Sequence, residues 1–165
     1  MNYRVGTSSR SGFTIVELLI VVVVIAILAA IVIVSYNGIQ NKAYDSTVQS
    51  DLRALGQKVE QYRILNNDAI PTSIAGIVEG AAASHDAYGA HYIPTTGGPE
   101  YNLLYCRSTT AFGFVAASKS GKVFIYGSGG VKEGVGPLKT YTTTCSDNGL
   151  PANGGWLYSS STWLI

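Results

Sequence analysis

An unbroken apolar run is the feature that most limits what this chain can fold into. Residues 18–34 (LLIVVVVIAILAAIVIV) are 17 consecutive positions without a charge, a glycine or a proline. A helix of this composition has no polar face to turn toward water, and it approaches the roughly 20 residues that a transmembrane helix needs. No second run of comparable length occurs in the 165 residues. The sequence therefore excludes a plain cytosolic globular domain and also a polytopic membrane protein.

Charge is distributed unevenly around this run. The first 12 residues carry Arg4 and Arg10 and no acid, whereas residues 13–165 hold nine basic against ten acidic side chains. A positive end before an apolar segment stays on the cytoplasmic side of a membrane, so we expect the rest of the chain outside the cytoplasm. The near-neutral remainder disfavours a nucleic-acid scaffold, which would carry a Lys/Arg cluster.

The N-terminus has several possible interpretations, and Glu17, immediately before the run, distinguishes between them. A secretory signal peptide is disfavoured because the run is too long for the usual apolar region and no small-x-small cleavage site follows it. A simple membrane anchor explains the length, since residues 13–34 would extend ~33 Å as a helix. It does not explain an acid at this depth, because intramembrane charges are usually paired and functional. Positions 13, 14, 20 and 21 offer no basic partner.

Residues 12–20 (GFTIVELLI) resemble the class III signal of type IV prepilins and pseudopilins. That signature is a short basic leader, a glycine, an aromatic residue, three apolar or small residues, a glutamate and then a long apolar helix. The resemblance implies that a prepilin peptidase cuts between Gly12 and Phe13 and then N-methylates the new amino terminus of Phe13. It also implies an assembly role for Glu17. The new amine lies about one helical turn from Glu17 of its own chain. In a filament the amine of an incoming subunit would instead meet Glu17 of its neighbour, and we expect this pairing to favour one register among apolar helices.

The function implied by this resemblance is that of a type IV pilus structural subunit. Its expected partners are other copies of the chain in a helical filament, the prepilin peptidase, and the pilus assembly platform with its ATPase. The subunit would be a single-pass protein of the cytoplasmic membrane, N-terminus inside, before assembly and would lie at the cell surface afterwards. The alternatives are a minor pilin, a type II secretion pseudopilin, or a module for DNA or a surface ligand displayed on a pilin helix, although DNA is not indicated. We expect no enzymatic activity, no cofactor and no metal.

The pattern after the apolar run predicts that the helix continues to about residue 65. The domain organisation predicted is a leader over 1–12, a membrane and filament-core half of the helix over 13–38, an amphipathic half over 39–66, and a globular head over 67–165. Many pilins have a proline kink in the membrane half, but none occurs here between residues 13 and 70, so we expect a bend or local melting at residues 35–38 instead. Apolar residues at helical spacing form the predicted core stripe of the amphipathic half: Tyr44, Val48, Leu52, Leu55, Val59 and Tyr62.

The sequence of the head predicts mostly β-structure. Strands are predicted at residues 101–106, 141–145 and 156–158, together with a hairpin that joins 112–118 to 122–126. Residues 127–140 read as a glycine-rich loop. With the long helix, these strands give an α+β pilin fold in which the helix packs on a small antiparallel sheet. Cys106 and Cys145 are predicted to form a disulfide, as expected of a cysteine pair in an exported domain, and the alternative is two buried thiols.

Other chemically suggestive residues are better explained as surface features. The segment Gly127–Gly130 lacks the Lys-Ser/Thr end of a phosphate-binding loop. His85, Asp86 and His91 match no metal-ligand spacing, and we expect solvated loop residues. A modest basic patch would be formed by Lys119, Lys122, Lys132 and Lys139, but residues 67–165 carry five basic against six acidic side chains, which favours a solvated surface over a DNA groove.

Overall fold

The structure is a computed structural model that describes residues 12–74, 77, 85–89 and 101–159. Its internal contacts divide the chain into two compact units, the first ending at Ile39 and the second beginning at Gln40.

The first unit contains the apolar part of helix α1 (Ile15–Leu65), whose 51 residues continue into the second unit. The helix begins two residues later than expected, and it ends at the predicted residue before the turn formed by residues 66–68. It remains helical through residues 35–38, so the local melting considered there is not observed.

In the second unit, the predicted apolar stripe of α1 packs against the sheet. Val48, Leu52, Leu55 and Val59 are each at most 2% exposed, because their spacing places all four on one side of the helix. Tyr44 is partly buried at the edge of the same core. The strand residues that complete this core are Leu103, Tyr105, Phe112, Phe114, Ala116 and Phe124.

A five-stranded antiparallel sheet faces this part of α1. It consists of β1 (Tyr101–Arg107), β2 (Phe112–Ala117), β3 (Val123–Gly127), β4 (Gly130–Glu133) and β5 (Asn153–Ser159), in the order β4-β3-β2-β1-β5. The strands predicted at 101–106 and 156–158 and the predicted hairpin are confirmed. On β2, Phe114 contributes to the core under α1 and Val115 to a second core on the other side of the sheet, as strand alternation requires.

The predicted strand at residues 141–145 is wrong, because these residues form helix α2 (Tyr141–Asp147). The β-branched run Thr142–Thr144 favours a strand by propensity. Thr140 overrides it, since its side chain accepts a hydrogen bond from the backbone N–H of Thr143 and so caps the helix. Helix α2 is also tied to the segment before it, where the backbone N–H of Lys139 donates to the Thr144 hydroxyl at 2.8 Å.

The predicted glycine-rich loop over 127–140 is also wrong in part, because it contains β4. Residues Gly127 and Gly130 are paired across a tight turn, with Ser128 and Gly129 between them. Gly130 has a φ of +84°, a left-handed conformation that suits glycine and lets the chain reverse within two residues. Strand β4 then forms the edge of the sheet beside β3.

Cys106 on β1 and Cys145 on α2 are joined by a disulfide with an S–S distance of 2.08 Å. Both are fully buried in the second core, together with Leu104, Val115 and Leu138. The bridge therefore attaches α2 to the central part of the sheet, on the side that does not face α1.

Candidate processing and assembly site

The predicted cleavage position lies in exposed, non-helical backbone. Gly12, Phe13 and Thr14 precede the first helical residue, Ile15, and the Phe13 side chain is 82% exposed. A Cβ placed on Gly12 would meet no atom within 4 Å, so this backbone is open on the side where a side chain would stand. Such a segment can be reached by a protease, which needs access to an extended peptide bond.

Thr14 and Glu17 form a reciprocal hydrogen-bonded cap at the start of α1. The backbone N–H and the hydroxyl of Thr14 each donate to Oε2 of Glu17 at 2.8 Å, and the backbone N–H of Glu17 donates to Oγ1 of Thr14 at 3.2 Å. This is the capping-box arrangement, in which two residues three apart satisfy donors that a helix start leaves open. The carboxylate that the sequence singled out thus has partners within its own chain.

The role of Thr14 was missed by the sequence reasoning, although a signal for it exists. A threonine followed three residues later by a glutamate, directly before an apolar run, is the pattern of a capping box. The resemblance to the prepilin signal accounted for the same segment in another way and assigned no role to Thr14.

Beyond the cap, the apolar part of α1 exposes its side chains on every side. Large apolar residues from Phe13 to Ile39 whose burial is described are 48–83% exposed, so they are not the core of a soluble unit. By length and composition, α1 is the one helix among the described residues that is suited to cross a membrane. The exposed residues nearest the cap are Phe13, Ile15, Val16, Leu18, Leu19 and Ile20.

The lysines that suggested a basic patch are mostly engaged with other groups. Lys122 Nζ lies 2.9 Å from Oε2 of Glu133, and Lys139 Nζ lies 3.0 Å from Oδ2 of Asp147. The Glu133 carboxylate raises the pKa of Lys122, as expected for a cation with an acidic neighbour. The ammonium of Lys119 stands 5.5 Å from the centre of the Tyr44 ring. This pairing with acids leaves little of the concentrated positive charge that a DNA groove requires.

The candidate metal ligands do not converge in the part of the chain that the structure describes. No group of three His, Cys, Asp or Glu side chains suited to a metal occurs there. Asp86 is exposed in a short 3₁₀ helix, His85–Ala87, while His91 lies outside the described residues.

A shallow pocket of about 100 Å³ lies where the end of α1 meets the β3–β4 turn. Its charged groups neutralise one another, since Nη1 of Arg63 lies 2.9 Å from Oε2 of Glu60 and Nη2 of the same residue binds Asp68. Each of these contacts stabilises the end of the helix. The pocket contains no paired nucleophile and base.

Comparison with known proteins finds a family motif in the N-terminal region and partial similarity to two curated relatives. A family described as the prokaryotic N-terminal methylation motif matches residues 7–33. Two curated relatives are the type II secretion system core protein G of Klebsiella michiganensis, 35% identical over 69 residues, and that of Aeromonas hydrophila, 35% identical over 68 residues. These matches cover 42% and 41% of this chain, and 48% and 47% of the relatives.

The chain thus spans about half the length of the curated relatives it matches. No solved structure matches it significantly. The methylation motif, the partial similarity to core protein G and the long helix on an antiparallel sheet all support a prepilin-like protein with a pilin-like α+β arrangement.

Proposed function

We propose that this chain is a structural subunit of a type IV pilus or a related pseudopilus. It is cut between Gly12 and Phe13, N-methylated at Phe13 and polymerised through the apolar part of α1. The observation that carries the proposal is the exposure of this helical segment on all sides, with Glu17 as its one charged residue before Lys42.

The exposed apolar surface requires a non-aqueous environment at every stage. Before assembly a membrane supplies it, since the segment is long enough to cross the hydrocarbon core. After extraction from the membrane, only the same segments of other copies offer an equally apolar surface. Relative to a subunit whose apolar segment is exposed to water, burying that surface between copies contributes the main favourable free energy of fibre formation.

Glu17 gives this assembly a register. Apolar helices alone slide past one another at little cost, because their contacts are similar in every register. Cleavage before Phe13 creates a cationic amine, and one carboxylate and one cation per subunit pair best in a single arrangement. A mispaired charge would be left in an apolar medium, which is unfavourable. Glu17 of one subunit and the Phe13 amine of the next are the proposed partners.

The head completes the subunit outside the cytoplasm. Its disulfide suits an oxidising compartment, and its core is closed by α1, the sheet and α2. The prepilin peptidase acts first, on the exposed Gly12–Phe13 bond. The membrane platform and its ATPase then add the mature subunit to the fibre.

Replacing Glu17 by glutamine tests this function. Cells that express Glu17→Gln should contain mature subunit in the membrane but release few or no fibres on shearing, because the amine has lost its anionic partner. The matched control is Glu133→Gln, which removes an exposed carboxylate of β4 and should leave fibre yield unchanged. Equal yields from Glu17→Gln and the unaltered chain would contradict the proposal.

A secretion pseudopilus is the second candidate, favoured by the similarity to type II secretion system core protein G. The same helix chemistry serves both assemblies, and they differ in the length and abundance of the fibre. At natural expression level, long sheared fibres made mainly of this chain identify a major pilin. Short fibres confined to the cell envelope identify a pseudopilin or a minor subunit.

A further inference from the structure

We propose that, before assembly, the end of the head that follows the apolar segment binds anionic phospholipid headgroups through Lys42, Lys119 and Lys122. The inference rests on the proposed function only for the membrane-inserted state of the chain. Lys42 is exposed and is the first charged residue after Glu17, so it marks the end of the uncharged part of α1. Tyr36, 58% exposed, precedes it by less than two helical turns, and tyrosine is enriched at membrane–water interfaces.

The turn between β2 and β3 brings two further lysines to this end of the head. The ammonium of Lys119 stands 5.5 Å from the centre of the Tyr44 ring, and the hydroxyl of Ser120 donates a hydrogen bond to Oδ1 of Asp45. Tyr44 and Asp45 lie within one helical turn of Lys42. The turn over residues 118–122 is therefore fixed beside the same part of α1 that carries Lys42.

The continuity of α1 keeps these lysines within reach of a membrane surface. Tyr44 follows Ile39, an exposed apolar residue, by five positions, which is about 7.5 Å along a helix. Lipid headgroups extend roughly 5–7 Å beyond the hydrocarbon core, and the potential of a charged surface acts over a Debye length of about 8 Å. Lysine side chains are long enough to extend toward such an interface while their stems pack on the protein.

The charge balance of this surface leaves two lysines for an external anion. Glu133 lies 2.9 Å from Nζ of Lys122, and Glu133 and, more weakly, Asp45 raise the pKa of that lysine. Lys42 and Lys119 form no ion pair with a residue that the structure describes. This charge is too dilute for a DNA groove, but an anchored chain needs little more, because the apolar segment already keeps the head at a high effective concentration near the lipid.

Competition between two phospholipids tests this inference without a fibre. The full chain is inserted into nanodiscs that contain equal amounts of phosphatidylglycerol and phosphatidylcholine, and native mass spectrometry gives the ratio of the two lipids retained on it. Both lipids carry a phosphate, but only phosphatidylglycerol has a net charge. The variant is Lys42→Gln with Lys119→Gln. The charge-matched control is Arg53→Gln with Arg107→Gln, since Arg53 lies three turns further along α1 and Arg107 lies at the end of the sheet away from the turn.

The lysine variant should lower the ratio of phosphatidylglycerol to phosphatidylcholine about fivefold, the factor that one effective lysine contributes near an anionic surface. The arginine control should leave the ratio unchanged. Glu133→Gln should raise it, because it frees Lys122, and a general loss of structure would not produce this opposite effect. An unchanged ratio in the lysine variant, or an equal fall in the arginine control, would overturn the inference and leave the proposed function intact. Failure of the unaltered chain to insert into the bilayer would instead contradict the proposed function.

Discussion

Gly56 of α1 lies directly beneath the ring of Tyr126 on β3. A Cβ at position 56 would stand 2.1–2.5 Å from the ring carbons of Tyr126, closer than any side chain can approach. The ring also packs beside two phenylalanines of β2, with its centroid 6.0 Å from that of Phe112 and 6.4 Å from that of Phe114. Glycine is a poor helix former, and here it is the residue that lets an aromatic side chain of the sheet rest on the helix backbone.

Gly56→Ala should therefore destabilise the head although alanine favours a helix. Overpacking of this kind lowers the free energy of unfolding by about 1–3 kcal/mol. The gain in helix propensity offsets at most about 1 kcal/mol. Denaturant unfolding of the full chain in detergent, followed by the near-ultraviolet dichroism of packed tyrosines, measures the difference.

Gly38→Ala is the matched control on the same helix. A Cβ at Gly38 would meet no atom within 4 Å, so the substitution changes only helix propensity. The head should then unfold at the same denaturant concentration as the unaltered chain. Equal effects of the two substitutions on the head would show that the contact between Gly56 and Tyr126 is not the cause.

Loss of the disulfide should strongly lower the stability of the head against unfolding. Cys106 and Cys145 are 39 residues apart in sequence, and closing a loop of that size restricts the unfolded chain. In the chain-entropy model the stabilisation is about 4 kcal/mol. The double substitution Cys106→Ser and Cys145→Ser should lower the unfolding midpoint, and a reducing agent should lower that of the unaltered chain but not that of the variant. A midpoint insensitive to reduction would contradict this account.

Tyr105 should make the head less stable in strongly alkaline solution. Burial disfavours its phenolate and raises its pKa to about 12, although the nearby Arg107 acts in the opposite direction. The unfolded state loses this proton above about pH 10 while the folded state keeps it, so stability is complete below pH 10 and falls between pH 10 and 12. The expected loss over that interval is about 2–3 kcal/mol.

Tyr105→Phe identifies the contribution of this residue. The variant loses the hydrogen bond from the tyrosine hydroxyl to the carbonyl of Pro71, 3.1 Å long, which should cost about 1 kcal/mol at neutral pH. Above pH 10 its stability should decline less steeply than that of the unaltered chain, since one proton fewer is released on unfolding. Parallel pH profiles for the two chains would assign the alkaline loss to other groups.

The elements that the sequence predicts well are those with a clear hydrophobic period. The stripe from Val48 to Val59 predicts the buried face of α1, and the apolar runs at residues 112–118 and 122–126 predict the hairpin of β2 and β3. Both patterns depend on the residue itself and on its near neighbours in sequence. Each was therefore readable without knowledge of the fold.

The features that escaped prediction depend on a single capping residue or on a distant partner. Helix α2 follows from one side chain, that of Thr140, against the β propensity of the threonines after it. The fit of Gly56 depends on Tyr126, 70 positions further along the chain. The Thr14–Glu17 cap is local and has a recognisable sequence pattern, so it could have been predicted from the sequence. It was missed because Glu17 already had an explanation in the resemblance to the prepilin signal.

The most direct test of the central claim is the mass of the N-terminal peptide of surface material released by shearing. Processing at the Gly12–Phe13 bond predicts a chain that begins at Phe13 and carries one additional methyl group on its amine. A chain that begins at Met1, or at a residue beyond Val34, would contradict the assignment of the apolar helix to the interior of a fibre.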